Sequence, residues 1–399
     1  MDERDRRADG LPEWSLWEAR LTRRRILKSA GVGFGLLAGG SLLAACGDDG
    51  GGTFTGATGA TGAATGGTGA SGGLDHVNVG FGYIGPATDN GWTQTHDVGR
   101  QAVDAALGDK VTTTFVENVP LSAEASQTFE SLASENQLVI ANTEYANFLS
   151  DVAARHPDVA FLEADGHTYT DNLYAYYVEH SRPNYLLGVA GASLSQSGKL
   201  GYVGAFPTAT AWNDTNPMLL GARTINPDAT VQAVMISSFF DPQKATQATN
   251  ALIDGGVDFV FSVMDEPSFL QVCEERGVWG ASWNLDIREF GPTAYVNTYL
   301  LDWNDFYVEQ ATAVLNGTWT SQSEVRLLPL SLGSWGDSVP QDVQDAVAAA
   351  DEALGDAPTP YIGPLSDDQG NEVVPAGTTL SPAEAYAIDF GIEGVSGVG

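Results

Sequence analysis

Cysteine and basic side chains are scarce in this chain. It has two cysteines in 399 residues, Cys46 and Cys273, and 18 Lys and Arg against 51 Asp and Glu. So few cysteines exclude the disulfide framework that holds small secreted domains together. The formal net charge of −33 repels phosphate backbones and anionic lipid headgroups. The composition therefore argues against a nucleic-acid-binding protein, whose affinity comes largely from Lys and Arg.

The first 45 residues carry export signals. Thr22-Arg23-Arg24-Arg25-Ile26-Leu27-Lys28 resembles a twin-arginine export signal, and Leu43-Ala44-Ala45-Cys46 resembles a lipoprotein cleavage box. We therefore expect residues 1–45 to be a signal peptide and Cys46 to become the lipidated first residue, on the outer face of the cytoplasmic membrane. The alternative, a retained membrane span at 29–45, is short for a core of about 30 Å and rich in Gly.

A tether follows the lipidation site. Residues 47–73 are almost wholly Gly, Ala, Thr and Asp, a composition that cannot bury enough apolar surface to fold. Residues 46–74 are thus predicted to be flexible. The remaining Cys273 lies in a helical pattern and is expected to be a buried structural thiol, because nothing near it in sequence would lower its pKa.

From Asp75 onward, short β-branched runs alternate with helical patterns, which is typical of an α/β fold with parallel sheets. Asp241-Pro242 predicts the start of a helix that Gly255-Gly256 ends. A second helix is predicted at 303–315, and a hairpin at 361–365 and 372–375, with a capped helix from Ser381. The predicted strands are 76–83, 112–116, 138–141, 159–163, 200–203, 231–237 and 257–263.

Two short motifs of this sequence match cofactor-binding or catalytic patterns, but neither lies in the strand-to-helix turn that its chemistry requires. Gly80-Phe81-Gly82-Tyr83-Ile84-Gly85 matches the dinucleotide fingerprint, but Pro86 and the turn after it delay the helix until about Trp92. Gly69-Ala70-Ser71-Gly72-Gly73 fits a nucleophile elbow but lies in the tether. The five histidines show no metal-ligand spacing. We therefore expect neither a cofactor nor a metal.

Aromatic and acidic residues recur where the predicted strands end. Ligands bind beyond the carboxyl ends of strands in open α/β sheets, so these residues are candidates for a cleft. The alternative to a binding role is that the rings pack in the core and the acids cap helices. The capping interpretation is best supported for Asp241, which precedes Pro242. The residues are Tyr83, Trp92, Tyr145, Phe206, Phe239, Trp283 and Trp303, with Asp89, Asp241, Asp265 and Asp286.

The chain resembles the basic membrane protein (BMP) family of ABC-transporter substrate-binding lipoproteins. The resemblance covers nearly all of residues 75–395. It is carried by Tyr83-Ile84-Gly85-Pro86, Asp89-Asn90-Gly91-Trp92, His96-Asp97, Gly99-Arg100, His156-Pro157-Asp158-Val159, Tyr185-Leu186-Leu187-Gly188, Gly201-Tyr202-Val203, Ala205-Phe206-Pro207, Gly221-Ala222-Arg223, Asn226-Pro227, Phe240-Asp241-Pro242, Phe290-Gly291-Pro292, Gly317-Thr318-Trp319 and Val374-Pro375-Ala376-Gly377.

The resemblance implies a type I periplasmic-binding fold with two α/β lobes, a hinge and an interlobe cleft. We place lobe 1 at 75–204 plus 284–318 and lobe 2 at 205–283 plus 319–399. It also implies a non-enzymatic monomer that captures a purine nucleoside or nucleobase, closes on it and delivers it to an ABC permease in the membrane.

The resemblance also suggests ligand contacts. Trp92 and Phe239 match stacking aromatics, Asp265 and Asp286 match polar contacts, and Asn216 matches a recurrent asparagine. Tyr83, Asp89, Tyr145, Phe206 and Trp303 complete the predicted site. The chain departs from the family pattern at Met264, at Asn213-Asp214 and at Ser282-Trp283-Asn284, so the identity of the ligand stays open.

Two alternatives remain at this point. An extracytoplasmic hydrolase of nucleosides or glycosides would use Asp89, Asp265 or Asp286 as acid and base. A ligand sensor on the same fold would signal to a surface partner instead of a permease.

Overall fold

The computed structural model describes residues 73–89 and 91–399. The predicted signal peptide, Cys46 and nearly all of the tether lie outside these residues. In the described part of the chain, no helix is both long and apolar enough to cross a bilayer.

The first sheet is built mainly from the N-terminal half of the folded region. Its six strands are all parallel and stand in the order β11-β5-β4-β3-β1-β2. The central strand β3 is buried at every residue, as expected for a parallel strand covered on both faces. The strands are β1 (Val77–Gly82), β2 (Val111–Val116), β3 (Leu138–Ala141), β4 (Ala160–Ala164), β5 (Leu173–Glu179) and β11 (Arg326–Pro329).

The second sheet repeats this architecture. Its order is β10-β9-β8-β6-β7-β14, again with every pair parallel. The strands are β6 (Lys199–Gly204), β7 (Thr230–Met235), β8 (Phe259–Ser262), β9 (Trp279–Asn284), β10 (Tyr295–Leu300) and β14 (Val395–Ser396). Two six-stranded parallel sheets in one chain confirm the predicted α/β class.

Helices connect the parallel strands, as right-handed crossovers require. Helices α4 and α5 pack closely, since a Cβ on Gly188 would lie 1.9 Å from the Met218 carbonyl oxygen. The helices are α1 (Trp92–Leu107), α2 (Ala125–Glu135), α3 (Asn147–Arg155), α4 (Ser181–Leu194), α5 (Ala209–Ile225), α6 (Pro242–Asp254), α7 (Ser268–Arg276), α8 (Asn304–Leu315) and α9 (Gln341–Leu354). Short 3₁₀ turns occupy Gly108–Lys110 and Arg288–Phe290.

The C-terminal region forms a small appendage on the second lobe. Strands β12 (Leu365–Ser366) and β13 (Glu372–Val374) pair antiparallel, as the predicted hairpin requires. Helix α10 (Pro382–Tyr386) starts with a capping box between Ser381 and Glu384. Buried residues of this region pack against α5 through Trp212 and Leu220.

The division of strands between the sheets differs from the predicted lobe boundaries. Strands β6 and β10 belong to the second sheet, although β6 lies within 75–204 and β10 within 284–318, the two ranges predicted for lobe 1. Strand β11 pairs with β5 in the first sheet, although it was assigned to lobe 2. Helix α8 packs against α1 and β1, which agrees with its assignment to lobe 1. The chain thus crosses between the lobes after β5, after β10 and after β11.

Candidate functional site

Unusual backbone conformations cluster at the carboxyl ends of the strands. Among the residues that the structure describes, five other than glycine have a positive φ, and all follow or end a strand in one of the two sheets. They are Asn118, Ala146 and Asp165 in the first lobe, and Ser237 and Asn284 in the second. Strain of this kind persists where the surrounding structure fixes a loop, often at a binding site. It marks the strand ends where a cleft ligand would bind.

Two tryptophans from different lobes face each other at this edge. Trp92 begins α1 in the first lobe, and Trp283 lies in β9 of the second. Their rings are stacked, with centroids 5.7 Å apart and an interplanar angle of 16°. The Trp92 indole N–H donates to the backbone oxygen of Asn142 at 2.6 Å, which fixes the plane of the ring. The pair forms an aromatic contact across the cleft.

A buried aromatic layer supports Trp92 from within the first lobe. His96 lies edge-on to Trp92 at 4.5 Å between centroids and stacks on Trp303 at 4.5 Å. The Trp303 indole N–H donates to the Thr95 hydroxyl at 3.1 Å. Burial lowers the pKa of His96 well below its ordinary value, so the imidazole is neutral. Tyr177 of β5 lies tilted against Trp92 at 6.0 Å.

Asp265 brings a carboxyl group from the second lobe to the start of α1. Its Oδ1 accepts hydrogen bonds from the backbone N–H of Trp92 at 3.1 Å and from Asn284 Nδ2 at 3.0 Å. Its own N–H donates to the Phe239 carbonyl at 2.9 Å. Burial, with a further contribution from the negative charge of Asp89, raises the pKa of Asp265 to about 8.

Glycine at position 91 allows this approach. A Cβ at Gly91 would lie 2.5 Å from Asp265 Oδ1, closer than real contacts permit. Asp89 lies beside it and accepts backbone hydrogen bonds from Gly91, Thr93 and Gln94 at 2.9 to 3.0 Å. Asp89 therefore caps the start of α1, which is the ordinary structural role of an acid at this position.

Several buried polar atoms around the tryptophan pair have no hydrogen-bond partner within the described part of the chain. They include Trp283 Nε1, Ser282 Oγ, Asn284 Oδ1 and His96 Nε2. Leaving such groups unpaired costs about 1 to 3 kcal/mol each. Together they offer both donors and acceptors to a polar heterocycle or a sugar.

A second polar network lies deeper, where the chain crosses between lobes. His180 Nδ1 pairs with Asp214 Oδ1 at 2.7 Å, and Asn213 Nδ2 meets His180 Nε2 at 3.1 Å. Tyr202 and Asn184 also donate to Asp214, at 2.6 and 2.8 Å. Both imidazole nitrogens are occupied, so this His and Asp pair is not free for acid–base chemistry.

The structure brings some of the predicted site residues together. Asp89, Trp92 and Asp265 lie side by side, with Trp303 beneath Trp92. Phe239 is half-exposed and its ring meets Phe206 edge to face at 5.6 Å between centroids, next to Asp265 through the backbone. These two rings lie at the side of the site and not against the Trp92–Trp283 pair.

Other predicted site residues lie elsewhere. Tyr83 donates to Asp97 at 3.2 Å, because it continues the inward face of β1, and Tyr145 donates to the Val119 carbonyl in a separate core cluster. Asn216 holds the C-terminal segment by donating to the Phe390 carbonyl and accepting from the Ile392 N–H. Asp286 forms an ion pair with Arg288 at 2.7 Å, which lowers its pKa despite partial burial.

Several residues at this site are not among the predicted ligand contacts. Trp283 appears among the strand-end aromatics, but its place opposite Trp92 depends on how the lobes meet. Asn284 enters the sequence comparison only as a departure from the family pattern. His96, Asn142 and Tyr177 carry no local signal of a binding role.

Among the described residues, no group of three or more His, Cys, Asp or Glu side chains is arranged to hold a metal ion.

A family model described as "ABC transporter substrate-binding protein PnrA-like" matches residues 76–329. A purine-binding protein from Brucella abortus is 33% identical over 339 residues, which cover 81% of this chain and 95% of that protein. A putative ABC transporter glucose-binding protein from Haloferax volcanii is 34% identical over 70% of this chain and 72% of its own length.

Solved structures agree on the fold. A solute-binding protein of an ABC transporter from Conexibacter woesei superposes with a TM-score of 0.55 at 20% identity, covering 70% of this chain and 96% of that one. Another, from Aeropyrum pernix, gives a TM-score of 0.58 at 17% identity, covering 71% and 83%. At these identities the likeness concerns the fold alone.

Proposed function

We propose that this chain, which belongs to the PnrA-like (Bmp) family of ABC transporter substrate-binding proteins, captures a purine base or nucleoside by cleft closure and delivers it to the permease. The observation that carries the proposal is the interlobe pair Trp92 and Trp283, with the Asp265 carboxyl group beside it. Ligand capture without chemical turnover is part of the proposal.

The geometry suits a flat aromatic ligand. A planar ring between two indoles needs their planes about 7 Å apart, twice a van der Waals contact of about 3.5 Å. The centroids are 5.7 Å apart, and the planes of the two rings can be no farther apart than that, so the lobes must open before a planar ligand can enter. Stacking contributes about 1 to 3 kcal/mol per base and aromatic partner.

The polar groups then fix the orientation of the base. Asp265 can accept from a ring or exocyclic N–H, and the Trp283 indole N–H can donate to a ring nitrogen. Because these groups are buried, an analogue without the matching atom leaves them unpaired and loses affinity.

Glucose is the competing ligand, since one relative is named as a putative glucose-binding protein. A sugar also stacks on tryptophan, but two parallel indoles favour a ligand with two flat aromatic faces. The Brucella relative, named for purine binding, also matches this chain over more of both lengths. We therefore favour the purine.

We further propose export by the twin-arginine route and lipidation of Cys46. A lipid anchor would keep the binding domain close to a permease, although its acidic surface repels the membrane. The support is the order of the two signals in residues 22–46. Labelling cells with a palmitate analogue tests this: the chain should carry label, and Cys46→Ser should not. Label on the variant would contradict the proposal.

Calorimetry tests the ligand. We expect adenine, hypoxanthine or their nucleosides to bind the purified chain, and glucose, other sugars and amino acids to give no heat. Clear binding of glucose with no heat from any purine would overturn the assignment.

Chromatography of the same mixtures tests turnover. We expect the ligand to be recovered intact. Cleavage of a nucleoside that disappears in Asp265→Asn would instead favour a hydrolase.

A further inference from the structure

A second interlobe contact lies outside the tryptophan pair. The Tyr386 hydroxyl donates to Asp165 Oδ1 at 2.9 Å and also meets the Gly166 carbonyl at 3.2 Å. Its ring stacks on His167, with centroids 5.1 Å apart and an interplanar angle of 15°. Asp165 directly follows β4 of the first sheet, whereas Tyr386 ends α10 on the second lobe. The Tyr386 side chain, which belongs to the second lobe, thus makes three contacts with the first lobe.

This contact is not needed to hold the C-terminal segment in place. Asn216 of α5 already binds that segment through two hydrogen bonds to its backbone. Ala385 and Ile388 lie buried with Tyr361 against Trp212. The segment is anchored to the second lobe on both sides of Tyr386, so the hydroxyl is free to serve the other lobe.

The loop of the first lobe that accepts the Tyr386 hydroxyl has an unusual backbone conformation and packs closely. Asp165 adopts φ +52, a conformation that a residue other than glycine rarely holds. A Cβ on the next residue, Gly166, would lie 2.4 Å from Glu163 Oε2, so the loop packs directly on the buried end of β4. The loop that accepts Tyr386 is therefore closely packed against β4.

The same tyrosine is physically continuous with the candidate ligand site. Tyr177 lies tilted against Tyr386, with centroids 5.7 Å apart, and against Trp92 at 6.0 Å. Tyr177 is buried in β5, the last strand before the first crossing between the lobes. A rotation that separates Tyr386 from Asp165 therefore also changes the packing behind Trp92.

We propose that Tyr386 is a positioning residue for cleft closure, which holds the first lobe through Asp165 and Gly166 without touching the ligand. The inference rests on the proposed binding function only for its effect on affinity. The closed arrangement itself is held by this contact whether or not a purine is the ligand.

The first test uses affinity. Tyr386→Phe removes one hydroxyl that bonds a carboxyl group, and we expect hypoxanthine to bind about tenfold more weakly. The matched control is Tyr174→Phe, which removes a buried hydroxyl that donates to Gln310 within the first lobe. It should leave the dissociation constant unchanged. An equal loss in both variants overturns the proposal.

A double-mutant cycle then tests the partner. Asp165→Asn and Tyr386→Phe should each weaken binding, and the two together should weaken it no more than the larger single effect. Fully additive losses would show that the two groups do not act as one contact.

The last test needs no ligand, so it stands even if hypoxanthine does not bind. Spin labels at Asp151→Cys and Glu275→Cys, exposed on α3 and α7, report the distance between the lobes in a Cys46→Ser background. Cys273 is buried and stays unlabelled. In the empty protein we expect Tyr386→Phe to shift the distance distribution, and Tyr174→Phe to retain that of the parent. Identical distributions for all three proteins overturn the proposal.

Discussion

Replacing Asp265 by Asn should change how the stability of the empty protein depends on pH. The pKa of Asp265 is raised to about 8 by burial and by the charge of Asp89, whereas an unfolded Asp titrates near a pKa of about 3.9. Between these two pKa values, the folded protein therefore holds a proton on Asp265 that the unfolded chain has released. The contribution of Asp265 to stability is greatest below pH about 4 and declines as the pH rises towards 8.

The expected size follows from this one proton. The free energy of unfolding falls by about 1.4 kcal/mol per pH unit for each proton that only the folded state retains. Between pH 5 and 7, wild type should lose about 2.7 kcal/mol more than Asp265→Asn, because the amide does not titrate. Glu163 and Asp165, with pKa values raised to about 8 and about 6 chiefly by burial, contribute equally to both proteins and cancel.

Urea unfolding at pH 5, 6 and 7 measures the difference directly. Asp286→Asn is the matched control, because the pKa of Asp286 is lowered by Arg288 despite its partial burial. Its curve should run parallel to that of wild type over this range. If the Asp265→Asn curve is also parallel to that of wild type, Asp265 is ionised in the folded protein and its pKa is not raised by burial.

Three further predictions concern single side chains. Gly91→Ala should weaken ligand binding about 5- to 150-fold without destabilising the first lobe, since its Cβ would overlap Asp265 when the lobes close; an unchanged dissociation constant by calorimetry would contradict this. Trp283→Leu should remove one stacking face and weaken the binding of a purine by about 1 to 3 kcal/mol. An affinity equal to that of wild type would place Trp283 outside the site. Burial raises the pKa of the Cys273 thiol to about 12, so a thiol reagent at pH 8 should modify it only after unfolding; fast reaction of the native protein would refute its burial.

Much of the fold was predictable because the relevant signals are local. Asp241 accepts from the Lys244 N–H at 3.0 Å at the start of α6, as its position before Pro242 predicts. Strand β3 occupies the predicted residues 138–141. By contrast, β5 and β9 are not among the predicted strands, although both are almost wholly buried, as β3 is. Strand β9 contains Gly, Ala and Asn, which are depleted in strands.

The lobe boundaries could not be found in the same way. Strand β6 lies next to β7 and β8, and β11 lies next to β5, through pairings that are distant in sequence. A single sequence contains helix and strand patterns but no direct signal for which sheet a strand joins. Position in the chain was therefore a poor guide at each crossing.

Within the site, the phase of each strand decides which aromatic residues face a ligand. Residues 77, 79, 81 and 83 alternate inward along β1, so Tyr83 points into the core and not into the cleft. Trp92 escapes this constraint because it begins a helix after a long turn. Its partner Trp283 comes from the other lobe, and only the three-dimensional contact identifies it.

The two acids at the start of α1 differ in how well they are satisfied. Asp89 accepts three backbone N–H groups, whereas Asp265 Oδ1 accepts one backbone N–H and one amide N–H. Asp265 is also the acid that belongs to the opposite lobe. A ligand N–H directed at Asp265 would supply the donor that the protein lacks and would stabilise its charged form. Since the same carboxyl group binds the Trp92 backbone, that hydrogen bond would strengthen the contact between the lobes along with the contact to the ligand.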